Sequence, residues 1–211
     1  MAWFYPIYLD LRGKPCLVVG GDREGLRKAL GLLDAEAYVT LIAEEAVDSL
    51  VELAEKGRIT WHRRGYNEGD LKDVFLAIAT PEVRSQFEII YEEGIERGVL
   101  LNCMDDPPHC IWIAPSIIRR GDVTIAMSTG GRSPAYARWL RANLEQVLPK
   151  EFIALGELMM ELREEFRQDE RHVADFERWQ ISPDHEVMRL LGKGKRDEAK
   201  TVFREWLLAP A

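Results

Sequence analysis

The chain has 211 residues, 46% hydrophobic and 30% charged, with a formal net charge of −8. That is a globular composition, long enough for one large domain or two small ones, and it excludes wholesale disorder. An acidic chain is a poor non-specific nucleic-acid binder, and no apolar run approaches the ~20 residues of a bilayer span, so neither nucleic acid nor membrane is an expected partner.

Lys14–Gly21 reads as a buried strand stopped by glycines, the pattern of a parallel sheet. Leu26, Ala29, Leu30, Leu32 and Leu33 recur at helical spacing, which predicts an amphipathic helix over 23–34. Val39–Ala43 is the next strand, followed by a helix over Glu45–Lys56 and a short strand at Ile59–His62. Val74–Ala79 is a fourth strand, 82–97 a helix, and Val99–Asn102 a fifth strand. Strands alternating with helices over about 105 residues imply right-handed crossovers and a sheet covered on both faces. The pattern then changes near Asp106–Pro108. Ile111–Pro115 and Asp122–Met127 read as strands joined by a basic turn, Arg119-Arg120-Gly121. Beyond Pro134 helices dominate: one marked by Leu140, Leu144 and Val147, then Phe152–Phe166, Val173–Trp179, His185–Leu191 and Asp197–Leu207.

The strand, glycine turn and helix at Gly20-Gly21-Asp22-Arg23-Glu24-Gly25 form the context a dinucleotide site needs, with backbone N–H groups and a helix N-terminus facing a diphosphate. Gly20 and Gly25 match the first and third glycines of G-x-G-x-x-G. Asp22 replaces the middle one and adds bulk and negative charge. A tight βα turn without a ligand is the alternative. Glu44, 19 residues after Gly25, stands roughly where an acidic residue would hold ribose hydroxyls. Gly20, Gly21, Asp22, Arg23 and Glu44 are therefore candidate cofactor residues, with Thr80 and Asn102 at the ends of the fourth and fifth strands.

Several segments carry a resemblance in order: Leu17-Val-Val-Gly-Gly with Arg27-Lys28-Ala29, Asn102-Cys-Met-Asp105, Ala114-Pro-Ser-Ile-Ile118, Ser128-Thr-Gly-Gly131, Ser133-Pro134 and Ala137-Arg138. The chain resembles the precorrin-2 dehydrogenase/sirohydrochlorin ferrochelatase family, the N-terminal region of siroheme synthases, over about residues 4–150. The resemblance implies an α/β fold in three parts: a Rossmann-like NAD domain (1–106), a small α+β dimerisation region (107–148) and a helical C-terminal domain (149–211). It implies NAD-dependent oxidation of precorrin-2 to sirohydrochlorin, iron insertion as a further activity, and a homodimer. It makes Asp105 the essential aspartate and places the tetrapyrrole against Ser128, Thr129, Gly130, Gly131, Arg132 and Ser133. Asp22 departs from the family pattern of a third consecutive glycine.

Asp105 sits at the carboxyl end of a parallel strand, where open α/β sheets place ligands, and a carboxylate there can take or relay a proton. A turn carboxylate before Pro107-Pro108 is the other reading, and Asp106 next door is a rival for the role. The Ser128–Gly131 turn offers hydroxyls and an anion-binding backbone, with Arg119, Arg120, Arg132, Arg138 and Arg141 around it to pair carboxylates. The same segment also reads as a helix start, with Ser133 as N-cap and Pro134 at N1. His62, His109, His172 and His185 are scattered, and Cys16, Cys103 and Cys110 lack a framework spacing. No resident metal and reduced thiols of a cytoplasmic protein are expected. Met1–Ala2 leads straight into an aromatic stretch, so no signal peptide is expected. Phe152, Leu155, Leu158, Met159 and Leu162 form a heptad-like stripe, for packing within the chain or between copies.

Overall fold

The computed structural model describes residues 4–168 and 185–208, so the helix expected over 173–179, with Trp179, and His172 lie outside the described residues. Two compact units divide at Ala114/Pro115.

The first unit is a five-stranded parallel sheet in the order β3-β2-β1-β4-β5, with β1 Pro15–Val19, β2 Tyr38–Ile42, β3 Thr60–His62, β4 Leu76–Ala79 and β5 Leu100–Cys103. Crossovers include α1 Arg23–Asp34, α2 Asp48–Glu55 and α3 Phe87–Arg97. Successive strand residues point to opposite faces, which explains the unbroken apolar runs. Cys16 and Val18 pack with Leu41, Ile78, Ala29 and Leu50 on one face, while Leu17 and Val19 pack with Ala77, Leu101, Phe87 and Ile90 on the other.

Register decides what meets at the sheet's carboxyl edge. Val19 pairs with both Ile42 and Ala79, and Ala79 with Cys103. The residues that leave these strands, Gly20, Ala43, Thr80 and Met104, therefore share one edge. The chain order reverses between β1 and β4, the switch point at which such sheets bind ligands.

Three expected boundaries shift. The second helix starts at Asp48 rather than Glu45, because the Val47 N–H donates to the Gly21 carbonyl (2.9 Å) and holds 45–47 as a turn. The helix expected from 82 opens as a 3₁₀ segment, Pro81–Gln86, with a kink at Val83 (φ −104°, ψ 26°), and becomes α-helical at Phe87. Residues 111–115 are not a hairpin strand. The Ile111 N–H donates to the Leu101 carbonyl (2.9 Å) and the Trp112 indole to the Leu100 carbonyl (3.1 Å), so this stretch returns along β5. These bonds attach residues 107–114 to the first unit.

The second unit opens with the antiparallel hairpin β6 Ser116–Arg120 and β7 Val123–Met127, paired from Ser116↔Met127 to Arg120↔Val123. Arg119 and Arg120 are strand residues, and the turn is Gly121-Asp122, with Gly121 at φ +53°. Then come α4 Pro134–Val147, α5 Lys150–Gln168, α6 His185–Gly192 and α7 Arg196–Leu208. Leu158, Leu162, Val187, Leu190, Ala199 and Phe203 form its core, with Leu155, Met159 and Trp206 packed against it. The stripe expected on α5 is thus mostly internal packing, with Phe152 left exposed. No described helix is long and apolar enough to cross a membrane.

Candidate functional site

The glycine turn is built by close contact. Gly20 has φ +114°, and a Cβ there would lie 2.1 Å from Thr80 Oγ1. A Cβ on Gly21 would lie 2.0 Å from the Glu45 carbonyl oxygen, and one on Gly25 2.2 Å from the Gly20 carbonyl oxygen. Only glycine fits, so the backbone after β1 is pressed against the residues that follow β2 and β4. Thr80 is fully buried, and its hydroxyl has no hydrogen-bond partner among the described residues. A buried hydroxyl beside a backbone turn at the switch point is one partner short, to be met by water or by a ligand, because an unmade hydrogen bond there costs ~1–3 kcal/mol.

Asp22 is the N-cap of α1: its Oδ1 accepts from the Gly25 N–H at 2.8 Å. The charge that sequence reasoning set against a diphosphate is thus turned onto the helix itself. Another carboxylate takes the exposed donors. Glu82 Oε2 accepts from the Gly21 N–H (2.8 Å) and the Asp22 N–H (3.1 Å). Arg23 is exposed at the first position of α1, and Glu44 is exposed just beyond β2, beside Gly65. Asn102 is buried, and its side-chain N–H donates to the Trp112 carbonyl (2.9 Å), which ties β5 to the returning 110–112 segment. Gly20, Gly21 and Thr80 are thus brought together at the sheet edge, Arg23 and Glu44 are exposed, and the Asn102 amide is engaged by the Trp112 carbonyl.

Asp105 follows β5 in a left-handed conformation, φ +59°, tolerable for an aspartate. Its exposed side chain has no hydrogen bond or ion pair among the described residues. Asp106 is committed: its Oδ2 meets His109 Nδ1 at 2.9 Å, while His109 Nε2 meets Glu88 Oε2 at 2.8 Å. These two carboxylates hold the imidazole pKa above its usual value. Of the two neighbouring aspartates, Asp105 is the one whose carboxylate has no partner among the described residues. The Cys110 thiol donates to the Cys103 carbonyl (3.0 Å). Burial pushes Cys103 up to about 12, and Cys110 upward as well, which leaves both as neutral thiols. Among the described residues no three His, Cys, Asp or Glu side chains converge as metal ligands.

Lys28 has no role legible in the sequence pattern. It is a buried lysine on the inner face of α1, 9% exposed, with no hydrogen bond or ion pair among the described residues. Burial lowers its pKa to about 8, Arg27 adds to the shift, and Glu24, Asp105 and Cys110 oppose it. Tertiary position alone reveals both this residue and Glu82.

In the second unit the Ser128–Pro134 loop is laced by its own hydroxyls. Ser128 Oγ accepts from the Gly130 N–H (3.1 Å), Thr129 Oγ1 from the Ser133 N–H (3.0 Å) and Ser133 Oγ from the Tyr136 N–H (3.3 Å). Ser133 is the expected N-cap and Pro134 the first residue of α4. Gly130 and Gly131 have φ +65° and +76°. Of the arginines expected to attract anions, Arg119, Arg120, Arg132 and Arg138 are exposed, and Arg120 and Arg141 pair with Glu145.

Residues 7–116 match the family described as "Putative NAD(P)-binding", and 120–146 match "Sirohaem biosynthesis protein central". A siroheme synthase of Nitrosococcus oceani is 39% identical over 78% of this chain and 35% of its own length. One of Pseudoalteromonas translucida is 34% identical over 99% of this chain and 44% of its own. The chain thus spans less than half the length of these curated relatives. A solved structure, SirC, precorrin-2 dehydrogenase, superposes with a TM-score of 0.74 over 97% of this chain and 98% of its own, at 22% identity, which is a likeness of fold.

Proposed function

The chain belongs to the precorrin-2 dehydrogenase/sirohydrochlorin ferrochelatase family, that of the N-terminal region of siroheme synthases, and from that premise we propose that it oxidises precorrin-2 to sirohydrochlorin with NAD in siroheme biosynthesis. The observation that carries this reading is the unpartnered, buried Thr80 hydroxyl against the Gly20 turn, on the same sheet edge from which Asp105 emerges. The turn backbone and Thr80 would hold the dinucleotide, and Glu44 would favour a free ribose 2′-hydroxyl over a 2′-phosphate, hence NAD over NADP. When bound, the nicotinamide supplies a hydride acceptor. Asp105 takes the proton released as the macrocycle loses hydrogen, its exposed carboxylate leaving room for a large substrate. Ser128–Ser133 and the neighbouring arginines would hold the tetrapyrrole carboxylates. The exposed Tyr136, Trp139 and Val147 of α4 support a homodimer formed through the second unit.

The test is incubation with precorrin-2 with NAD, with NADP and with neither, followed by the visible spectrum. The expected result is rapid conversion with NAD. A second reading, a chelatase or tetrapyrrole-binding protein without NAD chemistry, draws on the Glu82 carboxylate lying across the turn N–H groups. Iron insertion into sirohydrochlorin without any NAD- or NADP-dependent oxidation of precorrin-2 selects it. Sedimentation at micromolar concentration tests the dimer, and a 24.2 kDa species refutes it.

A further inference from the structure

We propose that Glu82 is a resident occupant of the dinucleotide's anion cradle, so that cofactor binding is an exchange in which this carboxylate leaves and a phosphate oxygen takes its place. The proposal rests on the reading that the turn after β1 binds a nicotinamide dinucleotide.

A single oxygen, Glu82 Oε2, accepts from two successive backbone N–H groups, Gly21 and Asp22, at the entrance to the twelve-residue helix α1. This is how a phosphate oxygen is held at a helix N-terminus: two donors on one anionic atom, with the helix dipole behind them. The Gly25 N–H is already taken by Asp22 Oδ1, and Glu82 covers the two donors that precede the helix, Gly21 and Asp22, where an anion entering the turn would meet the backbone first. A diphosphate and a carboxylate cannot share them, because like charges would meet at hydrogen-bonding distance.

Glu82 is also able to leave. It sits in the 3₁₀ segment directly after Thr80, and its side chain is exposed. A rotamer change carries the carboxylate into solvent without opening the core. The Thr80 hydroxyl, two residues earlier, stays unpartnered while Glu82 occupies the turn. A strut that completed the turn by itself would leave no such orphan. Two independent features, a displaceable anion on the donors and an unmet buried hydroxyl beside them, fit a site closed by a side chain of its own.

The test is titration calorimetry of the full chain and its Glu82→Gln and Glu82→Ala variants with NAD and with ADP-ribose, which has the diphosphate but no nicotinamide. Both variants are expected to bind both ligands about two- to fivefold more tightly, the range that corresponds to a carboxylate's preference for a helix N-terminus. Without ligand, hydrogen exchange at the Gly21 and Asp22 amides should be faster in Glu82→Ala than in the parent. The glutamine variant keeps an acceptor without the charge, which guards against a loss of folding in the alanine variant. If Glu82 is a strut or a direct cofactor ligand, removing it weakens binding. Weaker or unchanged affinity in both variants overturns the proposal alone. Failure of the parent and both variants to bind either ligand removes the cofactor reading and the proposal with it.

Discussion

A Cβ on Gly20, Gly21 or Gly25 would meet another atom at 2.0–2.2 Å, whereas one on Gly130 would meet nothing within 4 Å. The two glycine-rich turns, one in each unit, therefore require glycine for different reasons. The first is a packing constraint: the backbone after β1 is wedged against Thr80 and Glu45, and the turn keeps its shape only while the strands around it keep theirs. The second is a dihedral constraint: Gly130 and Gly131 take positive φ, and the shape is kept by local bonds to Ser128, Thr129 and Ser133. In neither turn are the glycines themselves the sign of a ligand. In the first unit that sign is the unpartnered Thr80 hydroxyl. In the second, no such orphan is present among the described residues, and the substrate role of its loop is part of the proposed function.

The largest expected effect concerns where the chemistry lies. Asp105→Ala should fold normally and bind NAD with unchanged affinity, yet lose ~10²–10⁴-fold in precorrin-2 turnover, as general acid/base groups do. Rates measured at saturating cofactor check this, and a loss below about tenfold would reduce Asp105 to a supporting role.

Lys28 tests how far the first unit sacrifices stability around its site. Its pKa falls from 10.5 in the unfolded chain to about 8 on folding. Between those values the folded protein binds fewer protons than the unfolded one, so stability rises as pH climbs from about 8 towards 10.5. Below that window the buried charge is a full cost. Lys28→Met should therefore stabilise the protein at pH 7 by up to ~3 kcal/mol, with the gain shrinking at alkaline pH. Urea unfolding at pH 7 and pH 10 measures both. An equal gain at the two pH values would mean that packing, not charge, was responsible.

The two turns can be separated directly. Gly25→Ala forces a Cβ against the Gly20 carbonyl, and should cost ~1–3 kcal/mol and abolish NAD binding together. Gly130→Ala strains one dihedral, should cost ~1–2 kcal/mol, and should leave NAD affinity as it was. Thermal unfolding and calorimetry on the pair are the measurements. Loss of NAD binding in Gly130→Ala would show that the two turns do not act independently.

Much of the first unit was legible because its strands are continuous apolar runs bounded by turn residues, a pattern that a sheet covered on both faces imposes. Ile111–Pro115 misled because it has that same composition while its N–H groups bond back to Leu101. The hairpin strand is Ser116–Arg120, whose two arginines look like a turn in one dimension and are solvent-facing strand positions in three. Asp105, Thr80 and the glycines could be found from chain position, since each follows a strand. Glu82 lies 61 residues from Gly21 and meets it only through the β1–β4 pairing, and Lys28 is buried only once α1 packs in the folded unit; neither leaves a mark in local pattern.

The smallest expected effect falls on Asp22, the residue that sequence reasoning singled out as the obstacle to NAD. From its place in the glycine motif, where the middle glycine would stand, Asp22→Gly is expected to relieve crowding and repulsion and tighten NAD about tenfold. The structure redirects that expectation, because the carboxylate lies 2.8 Å from the Gly25 N–H and faces the helix it caps. Glycine is a tolerable N-cap, so Asp22→Gly should cost only a few tenths of a kcal/mol, against ~1 kcal/mol for Asp22→Ala. With Glu82 still in place, its effect on NAD affinity should stay below about threefold, which is under ~0.7 kcal/mol. Asp22→Gly combined with Glu82→Gln should then bind NAD much as Glu82→Gln does alone. A tenfold gain from Asp22→Gly by itself would return the opposing charge to Asp22 and leave Glu82 a bystander.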